Sequence, residues 1–290
     1  MTSQPEEHSS QPAILLAAFE GWNDAGSAAS HALAMIAGEW NAAEVHEVDA
    51  QEFHDFQVNR PLSVRDTDGA RILQWPTTSV SVAQTPEGRT VVLVQGMEPS
   101  FRWLDFCEEI IEVAEEWSVG TVVSIGALLA DVPHTRPIPC QVTSDDLSVQ
   151  AVLDVEASEY EGPAGIVSVL AHLAQERGMH SLSLWAAVPH YVAQAPSPKA
   201  TLALLSALEE IVGEPLPLGD LEEEARAWQS GVDALAEQDP DVAQYVRQLE
   251  EAKDTAELPE ASGEAIAREF ERYLKRRGSG GSPRSRPPNT

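Results

Sequence analysis

Pro12–Gly38, with the sequence PAILLAAFEGWNDAGSAASHALAMIAG, is the stretch that decides the predicted fold. Its apolar run Ala13–Phe19 is short and sharply bounded, which is typical of a buried strand. A polar turn follows, and a helix of small residues is predicted to begin near Ala25 and to end at the closing glycine. Asn23 or Asp24 is expected to cap this helix. Strand, turn and helix form the first half of a βαβ unit, and the turn lies where α/β sheets usually bind ligands.

The same alternation of strands and helices continues to about residue 215. Further apolar or alternating runs predict strands near 44–50, 71–75, 79–83, 90–95, 121–125, 138–143 and 181–188. Helices are predicted at 102–117, at 165–175 and from Ser197 onward, where a cap residue precedes a proline. Segment 51–61 is interpreted as a loop or edge segment, because Pro61 has no N–H for a central ladder. The pattern therefore predicts an α/β fold with a mainly parallel twisted sheet flanked by helices.

Composition divides the chain into four predicted parts. Residues 1–11 are polar and predict a disordered leader, and residues 12–215 form the α/β core domain. Residues 216–274 contain only helical patterns, and 220–274 carries sixteen acidic and five basic residues, so a C-terminal acidic helical appendage is expected. Residues 275–290 are basic and rich in Gly, Ser and Pro, which predicts a disordered tail.

The charge of the chain excludes several classes of partner. The 290 residues carry a formal net charge of −29. Nucleic acids and anionic membranes attract Lys and Arg, so neither is an expected partner. The first residues show neither the basic nor the apolar region of a signal peptide, no apolar run approaches about 18 residues, and a cytoplasmic location is expected. Cys107 and Cys140 lack metal-like spacing and are predicted to be core thiols; no metal site and no cofactor is predicted.

Polar loops that follow the predicted strands form the candidate pocket. If the strands are parallel, these loops meet at one edge of the sheet. The candidate residues are Glu20, Asn23, Asp24, Glu98, Arg102, His134, Arg136, Tyr160, Gly162 and His190. Structural roles are the competing interpretation: helix caps for the Asn and Asp, local ion pairs for the arginines, and loop hydrogen bonds for the histidines. Phosphate-loop, dinucleotide-binding, zinc-protease and nucleophile-elbow motifs are missing, and no catalytic residue is assigned.

Five separated segments carry a family resemblance. They are FEGWNDAG, GMEPSFRW at Gly96–Trp103, GALLADVPHTRP, YEGPAGI and AAVPHYVAQAPSPKA. Together they resemble the proteasome assembly chaperone family, specifically its bacterial members related to the second assembly chaperone, over roughly residues 14–213. The resemblance implies a phosphorylase/hydrolase-like fold, self-association as a homo-oligomer with a trimer as the candidate form, and proteasome subunits as protein partners. It supplies no catalytic residues.

Two functional hypotheses follow. The first is a non-enzymatic chaperone or scaffold that binds protein partners and itself. The second is an enzyme of hydrolase or nucleoside-phosphorylase type, with Arg102 and Arg136 holding an anion and Glu20, Glu98 or His134 acting as acid or base. Convergence of these side chains around a cavity would favour the enzyme, whereas local pairing would favour the scaffold.

Overall fold

A seven-stranded sheet forms the centre of the computed structural model, which describes residues 11–256. Its strands are β1 (Ala13–Glu20), β2 (Ala43–Val48), β5 (Thr78–Gln84), β6 (Thr90–Met97), β7 (Val119–Ala130), β8 (Cys140–Thr143) and β9 (His180–Pro189). A separate hairpin consists of β3 (Leu62–Arg65) and β4 (Arg71–Gln74). The helices are α1 (Ala28–Glu39), α2 (Ala50–Phe53), α3 (Trp103–Glu116), α4 (Leu147–Leu153), α5 (Ile166–Glu176), α6 (Pro198–Val212), α7 (Leu221–Gln238) and α8 (Pro240–Ala256).

The sheet is mixed but mostly parallel, which confirms the predicted α/β class. Its strand order is β2-β5-β6-β1-β7-β9-β8, and the four strands β6, β1, β7 and β9 are parallel neighbours. Antiparallel strands complete both sides, with β5 and β2 beyond β6 and β8 beyond β9. In the centre, Leu16 of β1 lies between Leu93 of β6 and Val123 of β7.

Both faces of β1 are buried, which explains its continuous apolar sequence. Ile14, Leu16 and Ala18 belong to the core cluster that contains residues of α1 and α6. Leu15 and Phe19 belong to the opposite cluster, with residues of α3 and α5. Helix α1 therefore leaves the end of β1 toward one face, whereas α3 leaves the end of the adjacent β6 toward the other. The two loops diverge at this point of the sheet edge.

Short or exposed elements differ from the sequence-based predictions. Segment 51–61 begins within α2, which Asp49 caps by accepting a hydrogen bond from the backbone N–H of Gln51 at 2.9 Å. Strand β3 and helix α4 were not predicted, because β3 is mostly exposed and α4 has only seven residues. Cys107 is buried in α3, as predicted for a core thiol, whereas Cys140 at the start of β8 is partly buried and packs against the core. Burial raises the pKa of Cys107 to about 12 and that of Cys140 to about 11.

The chain divides into two compact units between Leu235 and Ala236. The first unit includes most of α7, whose Leu221 and Ala225 are buried, so it extends beyond the predicted core boundary at 215. The second unit contains α8. The predicted leader apart from Gln11, the helical pattern near 266–274 and the basic tail lie outside the described residues. No described helix is both long enough and apolar enough to span a bilayer.

Candidate functional site

The loops after the parallel strands meet at the carboxyl edge of the sheet, as their order in the sequence predicts. The backbone N–H of Ala127 donates to the carbonyl of Asn23 at 2.8 Å, which joins the end of β7 to the loop after β1. The N–H of Glu98 donates to the carbonyl of Glu20 at 3.1 Å, which joins the loop after β6 to the end of β1. This edge therefore brings several of the predicted site residues together.

Asn23 and Glu98 form a structural pair at the start of α5. The Asn23 side chain is only 3% exposed, and its Nδ2 donates to Glu98 Oε1 at 2.8 Å. The same Glu98 oxygen accepts the backbone N–H of Ile166 at 3.1 Å, so Glu98 caps α5 from 68 residues away. Gly165 leaves room for this pair, because a Cβ there would overlap the Asn23 amide.

Asp24 caps α1, as the structural interpretation of this residue predicted. Its Oδ1 accepts the backbone N–H of Ala29 at 2.7 Å, and its Oδ2 accepts the hydroxyl of Ser30 at 2.5 Å. The side chain is buried, and this burial raises the pKa of Asp24 despite the hydrogen bonds that oppose it. The carboxylate thus occupies the N-terminus of α1, where unpaired N–H groups attract an anion.

The arginines and His190 make local contacts. Arg102 forms ion pairs with Glu52 and with Asp105, the latter at 2.9 Å, and its guanidinium lies 5.2 Å from the centroid of the Phe53 ring. His190 Nδ1 lies 3.2 Å from a carboxylate oxygen of Asp131. Arg136 donates a long 3.4 Å hydrogen bond to the hydroxyl of its neighbour Thr135.

His134 is the centre of a buried network that the sequence did not predict. Tyr191 Oη accepts the backbone N–H of His134 at 2.8 Å and lies 2.7 Å from its Nδ1. His134 Nε2 lies 2.9 Å from Asp233 Oδ1 on α7. We assign the Nε2–H tautomer, since the tyrosine proton is then directed to Nδ1 and the imidazole proton to Asp233. No local signal marks Asp233, which is 99 residues from His134.

Lys199 extends this network. Its ammonium donates to the carbonyl of His134 at 2.5 Å and to the side-chain oxygen of Gln229 at 2.6 Å. Burial lowers the pKa of Lys199, and nearby Asp233 opposes that shift. The hydrogen bonds of this network therefore join the loop after β7 to α6 and α7, and the polar atoms named above are their donors and acceptors.

Tyr160 and Gly162 form a small turn in the segment that leads to α5. The Tyr160 hydroxyl donates to the carbonyl of Pro163 at 3.2 Å, while its ring is exposed. Gly162 lies against that ring, because a Cβ on it would overlap the tyrosine hydroxyl. These two predicted site residues therefore contact each other rather than a shared polar centre.

A cleft of about 370 Å³ opens where the loops after β1 and β6 diverge, and we call it the switch cleft. It is lined by Glu20, Ser27, Ser30, His31, Ala34, Gln95, Gly96 and Pro196. Glu20 is the one predicted site residue in this lining. A second cavity of about 390 Å³ lies between β2 and α3 and contains none of the predicted residues. Among the described residues, no group of three or more His, Cys, Asp or Glu side chains is arranged to hold a metal ion.

Large apolar side chains are exposed on the segments at the same carboxyl edge. We call this group the apolar rim, and its members are Trp22, Phe101, Leu104, Leu128, Leu129 and Tyr160. Trp22 is 91% exposed, although it lies between the strand β1 and the buried Asn23. This exposure excludes Trp22 from the core.

Comparison with known proteins supports the resemblance. Residues 18–236 match the model of the PAC2 family. A PAC2 family protein from Streptomyces avermitilis is 50% identical, with a TM-score of 0.76, and the match covers 81% of this chain and 99% of the other. A Mycobacterium tuberculosis proteasome-assembly chaperone homologue is 42% identical, with a TM-score of 0.73 and coverages of 80% and 99%.

A more distant comparison supports the fold alone. PbaB from Pyrococcus furiosus, an archaeal proteasome activator, is 15% identical, with a TM-score of 0.64 and coverages of 80% and 96%. No curated protein matches the chain. The family model spans most of the chain and includes every loop at the carboxyl edge of the sheet. The chain belongs to the PAC2 family.

Proposed function

We propose that this protein is a non-enzymatic chaperone or scaffold that binds a protein partner through the apolar rim. Proteasome subunits are the proposed partners, since one relative at 42% identity is a proteasome-assembly chaperone homologue. Self-association as a homo-oligomer and a cytoplasmic location belong to the same proposal. The observation that carries it is the exposure of Trp22 and the other rim residues at the edge where an α/β protein usually binds its ligand.

The exposed side chains are of the types that drive protein association. Large contiguous apolar patches are rare on soluble monomers and mark interaction sites. Tryptophan and tyrosine dominate the binding energy of many interfaces, because they bury much area with few rotatable bonds. Trp22 and Tyr160 supply such anchors, and Leu104, Leu128 and Leu129 are exposed on other segments of the same edge.

The enzymatic alternative has less support from the geometry. Its proposed anion holder Arg102 pairs with Glu52 and Asp105, and its proposed acid or base Glu98 is bonded to Asn23 and to α5. Neither of the two cavities described above is lined by an arginine or a lysine. Arg102 and Glu98 are therefore paired with neighbouring groups rather than directed into a shared cavity, which is the outcome that favours the scaffold.

The test is direct binding to purified proteasome α and β subunits from the same organism. Biolayer interferometry measures the affinity of the wild-type protein and of Trp22→Ala. We expect the substitution to weaken binding by about tenfold or more, as truncation of an interface tryptophan typically does.

Leu147→Ala is the matched control for this test. Leu147 is 79% exposed and opens α4, whose capping residue Asp146 contacts His180 at the amino end of β9. It therefore lies at the opposite edge of the sheet, and its truncation should leave the affinity unchanged. Failure of the wild-type protein to bind any proteasome subunit, or an equal loss in both variants, would contradict the proposal.

A further inference from the structure

The switch cleft lies at the topological switch point of the sheet. Strands β1 and β6 are adjacent and parallel, and the helices that follow them pack on opposite faces. Open α/β sheets bind their ligands in the crevice that such divergent loops create. Glu20 ends β1, and Gln95 and Gly96 lie near the end of β6, so the cleft occupies this crevice.

The lining of the cleft disfavours an anionic ligand. It contains no arginine or lysine, and His31 is its one basic side chain. The neighbouring N-terminus of α1 would attract an anion, but Asp24 already accepts the N–H of Ala29 there. A phosphate or carboxylate entering the cleft would also meet the carboxylate of Glu20.

A cationic ligand fits the same lining. Glu20 is exposed, and within the described part of the chain no side chain forms an ion pair or a hydrogen bond with its carboxylate. The hydroxyls of Ser27 and Ser30 and the amide of Gln95 add neutral polar groups. The formal net charge of −29 makes the surrounding potential negative, which concentrates cations near such a carboxylate.

The size and polarity of the cleft favour a ligand no larger than one amino-acid side chain. Its volume of about 370 Å³ is at the lower end for a ligand pocket. Ala34, Gly96 and Pro196 give the cleft an apolar part. The methylene stem of a lysine or arginine can lie against this part while its charged end reaches the Glu20 carboxylate. Trp22 of the apolar rim follows Glu20 by two residues, so the two features share the loop after β1.

We propose that the switch cleft receives the arginine or lysine side chain of a protein partner, with Glu20 as its counter-ion. This inference rests on the proposed function, because it assumes a partner bound at the apolar rim. It adds the chemistry that this partner must present: a basic residue beside the apolar residues that contact Trp22.

The experiment titrates the full-length protein with N-acetyl-arginine methylamide and follows backbone amides by TROSY NMR. We expect saturable shifts at Ser27, Ser30, His31 and Gly96 with a Kd of order millimolar, as suits one side chain. The citrulline analogue, which is neutral and nearly isosteric, should cause no saturable chemical-shift changes at these residues. Glu20→Gln should weaken binding by about fivefold, the upper range for an exposed ion pair. Glu44→Gln makes the same charge change on the edge strand β2 and should leave the Kd unchanged.

Several results would overturn the inference. Equal chemical-shift changes with the citrulline analogue, or an unchanged Kd in Glu20→Gln, would show that Glu20 is not the counter-ion of the bound side chain. Micromolar binding of spermidine in the cleft would instead identify a small-molecule amine site. No proteasome subunit is present in this titration. Its failure would therefore not contradict the proposed function, which the Trp22→Ala binding experiment tests separately.

Discussion

Removal of the Glu98 side chain should destabilise the fold through two separate losses. Glu98 Oε1 accepts the N–H of Ile166 at 3.1 Å and the Nδ2 of Asn23 at 2.8 Å. Loss of a helix cap costs about 1 kcal/mol, and an unsatisfied buried amide costs about 1–3 kcal/mol. Since Asn23 is buried, Glu98→Ala should lower the free energy of unfolding by about 2–4 kcal/mol. For a domain of this size, that corresponds to a Tm lower by about 10 °C.

Glu98→Gln separates hydrogen bonding from charge. Its side-chain oxygen still accepts from Ile166 and Asn23, so only the charge-assisted part is lost, about 1 kcal/mol. Urea unfolding of both variants at pH 7 gives the comparison, with Glu161→Ala as the control at an exposed carboxylate in the segment that leads to α5. Amide exchange at Ile166 should accelerate in Glu98→Ala alone. A loss of less than about 1 kcal/mol in Glu98→Ala, or equal losses in both Glu98 variants, would refute the assigned role of this residue.

Two further predictions concern the start of α1. Gly26→Ala should cost about 2–4 kcal/mol in urea unfolding, because Gly26 has a φ of 63° and its added Cβ would lie 2.6 Å from Ser197 Cβ; an unchanged midpoint would contradict this. Burial raises the pKa of Asp24 above 3.8, so the folded state binds the proton more tightly. Wild-type stability relative to Asp24→Asn should therefore increase as the pH falls from 7 toward 4, and a constant difference would show that burial does not shift the Asp24 titration.

The fold was predictable wherever strands are buried on both faces. Ala13–Phe19 contains no polar residue and is followed by Glu20. All seven of its side chains are buried in the structure. In the exposed hairpin β3–β4, the strand β4 was predicted near 71–75 but β3 was not, and Leu62 of β3 is open to solvent. Without a buried face, a short strand leaves no regular alternation of apolar and polar residues.

The candidate site was predictable as a set of loops, but not as a set of contacts. Parallel strands place their carboxyl ends at one edge, and this rule correctly groups the loops that contain Asn23 and Glu98. Which partner each side chain takes depends on distances that only tertiary packing sets. Glu98 caps a helix that begins 68 residues later, and His134 contacts Asp233 on a helix whose own pattern shows an apolar stripe and an acidic surface but nothing that marks Asp233.

The helix N-termini at this edge argue for the proposed scaffold over an enzyme that binds an anion. An α/β protein that binds phosphate leaves such N–H groups open to its ligand. In this chain, Asp24 accepts the N–H of Ala29 in α1, and Glu98 accepts the N–H of Ile166 in α5. The chain's own carboxylates thus occupy the anion sites, and each is held by a second polar contact, with Ser30 and Asn23 respectively. The apolar rim and the Glu20 carboxylate are accessible at this edge, and among residues 11–256 no side chain pairs with that carboxylate. Together they suit the proposed partner, an apolar surface carrying a basic residue.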